Sequence, residues 1–339
     1  VAVVFLFLNS VTCVSNRQVD APMTERIPSS HGVIAAAKAV AAILPPTPLL
    51  PVEIAGVRAW VKAETLQPIG SFKIRGAWWR LVNLSPEERA AGVVAVSSGN
   101  HAQGVAWAGR RLGVAATIVM PHDAPEVKLA NTRALGADIV LYQRPGEDRD
   151  AVAAGLIAEH GGTLVHAFGD PWVIEGQGSA AIEIAAQLGR APSRIVACCG
   201  GGGLAAGLGL GAPDSAIHPV EPVGWDMVGQ ALAAGELVHA APDAPKTICD
   251  ALQPNVTKQL NLGLLQGRAE PGVAVTDDEV RTAQRFAFNT LRLVVEPGGA
   301  AALAAALAGK VPVDEDTVIM LTGGNADPVA FAATIAAAA

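Results

Sequence analysis

Gly70-Ser71-Phe72-Lys73-Ile74-Arg75-Gly76-Ala77 sets one lysine between an aromatic and a β-branched residue, with glycines on either side, at what reads as a helix start. Glycines let backbone approach a ligand closely. A lysine held there, its amine partly desolvated, can act as a nucleophile toward a carbonyl. The competing reading is an ordinary surface lysine, the usual fate of the type. Against it stand the apolar neighbours and the small cationic inventory, 24 Lys plus Arg in 339 residues.

Three further motifs follow. Gly200-Gly201-Gly202-Gly203-Leu204 comes after an apolar run and opens a helix. Successive unobstructed N–H groups at a helix start favour a phosphate; a tight turn needing positive φ is the alternative. The run is neither G-x-G-x-x-G with a downstream acid nor G-x-x-x-x-G-K-[ST]. A phosphate site without nucleotide machinery suggests a small phosphorylated cofactor. Ser97-Ser98-Gly99-Asn100-His101 lies at a strand's C-terminal end, before a helix. That edge is where open α/β sheets bind ligands, and free N–H groups there suit a carboxylate. Ser and Asn are also favoured helix N-caps, and both readings hold together. Thr322-Gly323-Gly324-Asn325 follows the strand-like Val318–Leu321.

The four motifs, in this order, resemble the pyridoxal-phosphate serine/threonine dehydratases, a family that includes serine racemase. The resemblance runs from about Ala35 to Asp327. It implies an α/β fold of type II, tryptophan synthase β-like, with two parallel-sheet lobes: residues 23–92 plus 169–339 as the large cofactor-binding lobe, and 93–168 as a small mobile lobe. It implies that Lys73 carries the cofactor and Phe72 packs on its ring, and that Gly200, Gly201, Gly202, Gly203 and Leu204 hold its phosphate. Asn100 would face the phenolic oxygen and the Thr322 hydroxyl the pyridine nitrogen. Ser97, Ser98 and His101 would belong to the substrate carboxylate loop, and Ser98 would sit on the face opposite Lys73, where a racemase needs its second acid/base. Arg149 matches an arginine that some members use near substrate; a solvated helix-face arginine is the plainer alternative. Glu221 matches a cation-binding carboxylate, but its partner acid falls at Met227, so no metal is expected. Glu296 is assigned to scaffolding. The implied reaction removes water and ammonia from L-threonine or L-serine, giving 2-oxobutanoate or pyruvate. A serine or aspartate racemase and a 3-hydroxyaspartate ammonia-lyase are the alternatives on the same scaffold. A homodimer is expected.

Composition sets the outer bounds. Apolar residues make up 51% of the chain and charged ones 16%, with alanine prominent, which suits a thick α/β core. Net charge is −7, which argues against nucleic acid, whose partners favour basic patches. Cys13, Cys198, Cys199 and Cys249 show no C-x-x-C spacing, so neither a zinc site nor a disulfide framework is indicated; a reducing, cytoplasmic setting is expected. Val1–Leu8 is too short to span a bilayer. It reads either as part of a signal segment or as an overlong reading frame with Met23 as the natural start, so residues 1–22 are expected to lie outside the fold. The chain ends about where the catalytic lobe should, so no C-terminal feedback domain is expected and a catabolic, unregulated type is anticipated.

Strand-like runs (57–61, 93–96, 115–120, 138–142, 194–199, 216–220, 273–275 and 317–321) alternate with helix-like ones (31–44, 74–84, 102–112, 124–135, 148–160, 175–188 and a start at 203). This alternation means βαβ units and parallel sheets. Pro242–Gly272 is the least regular stretch.

Overall fold

Short apolar runs without polar alternation become strands covered on both faces, the pattern of parallel sheets. The computed structural model describes residues 26–124 and 126–337; the Val1–Leu8 run and the expected 1–22 extension lie outside them. The first segment contains α1 (Ser30–Ala41), β1 (Leu49–Ile54), β2 (Val57–Ala63), α2 (Lys73–Val82) and α3 (Pro86–Ala91). Then come β3 (Val93–Val96), α4 (Asn100–Leu112), β4 (Ala116–Pro121), α5 (Glu126–Ala134), β5 (Asp138–Tyr142), α6 (Arg149–His160) and β6 (Thr163–Leu164). They are followed by α7 (Pro171–Leu188), β7 (Arg194–Cys198), α8 (Gly203–Gly211), β8 (Ala216–Pro222) and α9 (Met227–Ala234). The last segment holds α10 (Gln259–Leu265), β9 (Val273–Val275), α11 (Asp277–Phe286), α12 (Pro297–Leu307), β10 (Thr317–Leu321) and α13 (Pro328–Ala336).

Two sheets result. One has six strands in the order β1-β2-β10-β7-β8-β9, the other four in the order β5-β4-β3-β6. All pairings are parallel except β1 with β2. That hairpin turns on Ala55-Gly56, both at positive φ, which a two-residue hairpin loop requires. The sequence pattern marks β2 but not β1, because Pro51 and Glu53 interrupt the apolar run of an edge strand. Ser85-Pro86, read as a stop, is also a start: Ser85 and Glu88 form a reciprocal capping box for α3. Helix α7 begins at Asp170-Pro171, a turn earlier than expected, with Asp170 as N-cap.

The alanine enrichment at 300–308 has a packing reason. Ala300–Ala306 and Leu303 of α12 are all buried, in one cluster with Val196, Val220, Ile319 and Leu321 of the sheet. Small side chains let helix and sheet approach closely. Among the described residues no helix is long and apolar enough to cross a membrane.

Beneath the start of α2 lies a buried ion network. Arg75 donates from Nε and Nη2 to the two oxygens of Glu64 at 2.8 and 2.7 Å, and from Nη2 to Glu183 at 3.0 Å. Lys62 donates to Glu183 Oε1 at 2.5 Å, to Thr47 O and to Gln187 Oε1. Two cations thus meet two carboxylates. Burial pushes the Glu64 carboxyl up, but Arg75 outweighs it and holds the group at about 2.

A depressed carboxyl contributes stability that is complete above its ordinary value of 4.5 and is lost as pH falls through about 2. Glu64→Gln leaves the Arg75 charge short of its main partner, and such a break costs about 3–5 kcal/mol. Urea unfolding at pH 7 is expected to show that loss. A variant within about 0.5 kcal/mol of the parent, the scale of a neutral surface change, would mean the network contributes little.

Candidate active site

The motifs converge because each follows the C-terminal end of a parallel strand: Lys73 after β2, Ser97–Asn100 after β3, His166 after β6, Gly200–Gly203 after β7 and Thr322 after β10. Together they line one cavity of about 1860 Å³.

The lysine segment is stitched to the Thr322 segment. Phe72 N donates to Thr322 O at 3.0 Å and Gly324 N to Gly70 O at 2.8 Å. Asn325 Nδ2 donates to Ile69 O at 2.9 Å. Lys73, the first residue of α2, projects its Nζ to 2.8 Å from Ala167 O and 5.1 Å from the Phe72 ring centroid. Burial lowers its pKa to about 8, with Cys198 opposing weakly. The contrast with Lys62 is instructive. That lysine is fully buried where Lys73 is half-buried, and three acceptors surround its amine. Lys73 has one, and its amine faces the cavity.

The glycine turn is held from behind. Gly201 O accepts from Thr257 Oγ1 at 2.8 Å and Asn261 Nδ2 at 2.5 Å. Gly202, at φ +86°, caps α8 without any side chain. The N–H groups of Gly201, Gly203 and Leu204 have no acceptor among the described residues. Thr257 and Asn261 fall in the stretch read as irregular, and no local sequence signal marks them. A Cβ on Gly201 would lie 2.3 Å from the Phe168 ring, so any side chain there must displace that ring.

Asn100 Nδ2 donates to Glu296 Oε1 at 2.6 Å, and its Oδ1 accepts from Asn325 Nδ2 at 2.7 Å. Burial raises the Glu296 carboxyl to about 7, against the Asn100 hydrogen bond. Thr322 Oγ1 lies 3.0 Å from Cys198 Sγ. Ser97 Oγ accepts from Gly99 N at 3.1 Å. Ser98 lines the cavity, and its hydroxyl has no partner among the described residues. His101 is buried and spends Nε2 on Val165 O at 2.7 Å, which leaves Nδ1 as its one atom for a ligand. Burial lowers its pKa to about 3, aided by Lys73.

Arg149 lines the cavity at the start of α6; it is exposed, and Glu147, Asp148 and Asp150 line the same wall. Sequence reasoning missed its neighbours His166 and Lys258. His166 Nδ1 accepts from Phe168 N and Gly169 N, so its other nitrogen carries the proton. Burial lowers its pKa to about 3, and Lys258, Lys73 and Arg149 push the same way. Neither Arg149 nor Lys258 has a side-chain hydrogen bond or ion pair among the described residues.

Glu221 is committed elsewhere. Its oxygens accept from Val228 N at 3.0 Å and Gly229 N at 2.8 Å, at the head of α9. Among the described residues, no group of three or more His, Cys, Asp or Glu side chains is placed to hold a metal ion.

An anion holder, an open low-pKa amine and a buried hydroxyl around one cavity suit a phosphorylated aldehyde. The family described as pyridoxal-phosphate dependent enzyme matches residues 40–323. The chain belongs to the pyridoxal-phosphate enzymes of fold type II. It is 37% identical over 319 residues to an L-threo-3-hydroxyaspartate ammonia-lyase of Pseudomonas sp, covering 91% of this chain and 99% of that one. It is 36% identical over 271 residues to the serine racemase of Schizosaccharomyces pombe, covering 78% and 83%. The solved T.th. threonine deaminase superposes with a TM-score of 0.81 at 38% identity, covering 88% of this chain and 99% of that one. The family performs β-elimination or racemisation with pyridoxal phosphate.

Only the neutral amine attacks an aldehyde. Loading of cofactor-free protein with pyridoxal phosphate is therefore expected to speed up with pH to about 8 and then level off. Stopped-flow absorbance checks this. A rate that climbs on toward 10.5, the ordinary lysine value, would contradict the desolvated setting of Lys73. Gly201→Ala is expected to displace the Phe168 ring and weaken cofactor binding at least about tenfold, the scale of 1.4 kcal/mol. Equal affinity by equilibrium titration would move the phosphate site elsewhere.

Proposed function

We propose that the chain is an ammonia-lyase of β-hydroxy-α-amino acids, threonine and serine among them, and that 3-hydroxyaspartate is the substrate it is best equipped to hold. One observation carries the preference. Arg149 and Lys258, both without partners among the described residues, lie with His166 on the cavity wall near Lys73. A threonine methyl would gain nothing from such a wall, whereas a second carboxylate would.

The geometry supports the following roles. The open N–H groups of Gly201, Gly203 and Leu204 would hold the cofactor phosphate. Phe72 would pack on its ring, Asn100 would serve the phenolic oxygen and Thr322 the ring nitrogen. When bound, pyridoxal phosphate withdraws electrons from the substrate Cα. The Ser97–His101 loop holds the α-carboxylate, and Arg149 with Lys258 the β-carboxylate. The Lys73 amine takes the α-proton. The β-hydroxyl departs as water, taking up the proton that Lys73 removed, and hydrolysis of the released enamine gives a 2-oxo acid and ammonia. The unit around the four-stranded sheet, residues 93–168, is proposed to close on substrate against 23–92 plus 169–339. The Lys128–Asp250 pair at 2.9 Å spans the two units.

Lys73→Ala is expected to abolish elimination. Arg149→Ala is expected to raise KM for L-threo-3-hydroxyaspartate about 10–100-fold, the worth of one charged hydrogen bond, while threonine changes a few-fold. Keto-acid assays on both substrates check this. Threonine preferred by the parent, with Arg149→Ala affecting both substrates alike, would contradict the preference.

Serine racemisation is the second reading, favoured by the unpartnered Ser98 hydroxyl in the cavity. Ser98→Ala is expected to remove any D/L interconversion while L-substrate elimination survives at a reduced rate. Chiral product analysis decides. Retained racemisation would assign that face to another group.

A further inference from the structure

Cys198 ends β7 and Thr322 follows β10, its sheet neighbour, so the two side chains meet at the cavity floor. Sγ and Oγ1 are 3.0 Å apart, and both residues are more than nine-tenths buried. Either atom could donate on distance alone. The proton inventory decides. Had Thr322 donated to sulfur, its oxygen would turn only lone pairs to the cavity, and the S–H would have no acceptor among the described residues. Sulfur is also the weaker acceptor. With S–H donating to Oγ1, the threonine proton is left to point into the cavity.

We infer that Cys198 is a positioning residue: its S–H fixes the Thr322 hydroxyl as a donor toward the cofactor's ring nitrogen. This rests on the functional reading above, in which that nitrogen faces Thr322. The thiol keeps its proton for the task. Burial pushes its pKa to about 11, against the hydrogen bond to Thr322. A hydroxyl held as donor keeps the nitrogen an acceptor, unprotonated. The donated hydrogen bond would still draw electron density from the ring, without transferring a proton to it. The Cys198–Thr322 pair would thereby set the electron demand of the ring without touching substrate.

The test uses the loaded parent, Cys198→Ala, Cys198→Ser and Thr322→Val. The first readout is the pH midpoint of the bound cofactor's visible absorbance. Loss of an oriented donor leaves the ring more electron-rich and is expected to raise that midpoint by roughly half to one pH unit, the size of one hydrogen bond. Cys198→Ala should show the shift, Thr322→Val should match it, and Cys198→Ser, whose hydroxyl can donate in the same way, should return toward the parent. The second readout is the S–H stretching band that Cys198→Ala removes. In Thr322→Val it is expected to move to the position of a free thiol. An unchanged midpoint in Cys198→Ala, or a serine variant no different from the alanine one, would overturn the proposal, as would an S–H band indifferent to Thr322. Both readouts need only bound cofactor. A parent that binds cofactor but eliminates nothing would sink the functional reading and leave this test standing.

Discussion

The fork of Arg75 on Glu64 is the constraint on which the site depends. Arg75 stands two residues after Lys73 on α2, and Glu64 directly follows β2. Their pairing ties the head of the reactive helix to the end of a strand in the six-stranded sheet. Glu183 of α7 and Lys62 of β2 complete the charge balance. A buried pair of this kind adds little net stability over an apolar core, but losing one partner is costly. Its structural consequence is a fixed origin for Lys73, whose amine can then lie in low-dielectric surroundings with one acceptor. Lys62, in the same network, shows the alternative: a lysine whose acceptors consume its amine.

From that origin the rest of the site follows by strand register. β2, β10 and β7 are adjacent and parallel, so the segments after their C-terminal ends must lie side by side. This places the lysine, the threonine and the glycine turn in one row, although about 125 residues separate Lys73 from Gly200 and again Gly200 from Thr322. The second sheet adds the Ser97–Asn100 turn and His166 from its own strand ends. Asn100 then reaches across to Glu296 and Asn325, joining the two halves of the cavity wall.

Much of this is legible in the chain. Apolar runs such as Val93–Val96 and Thr317–Leu321 announce buried strands, and the four motifs sit where helices take over from strands. What stays hidden is non-local. Thr257 and Asn261 brace the glycine turn from a stretch with no periodicity. His166 and Lys258 look like isolated polar residues until the fold sets them beside Arg149. Strand β1 is an edge strand whose Pro51 and Glu53 break its pattern, and Ser85-Pro86 serves both as a stop and as a cap. Cys198 reads as a plain buried thiol; only its distance to Thr322 gives it a task. Sequence patterns report what a residue does to its own segment, and these residues act on a distant one.

The most direct measurement is to load the protein with pyridoxal phosphate, reduce it with borohydride and map the labelled peptide by mass spectrometry. The account predicts a single pyridoxyl group, on Lys73. A label on Lys62 or Lys258, or none at all, would contradict the claim that the fold reserves one open, desolvated amine at the cavity floor.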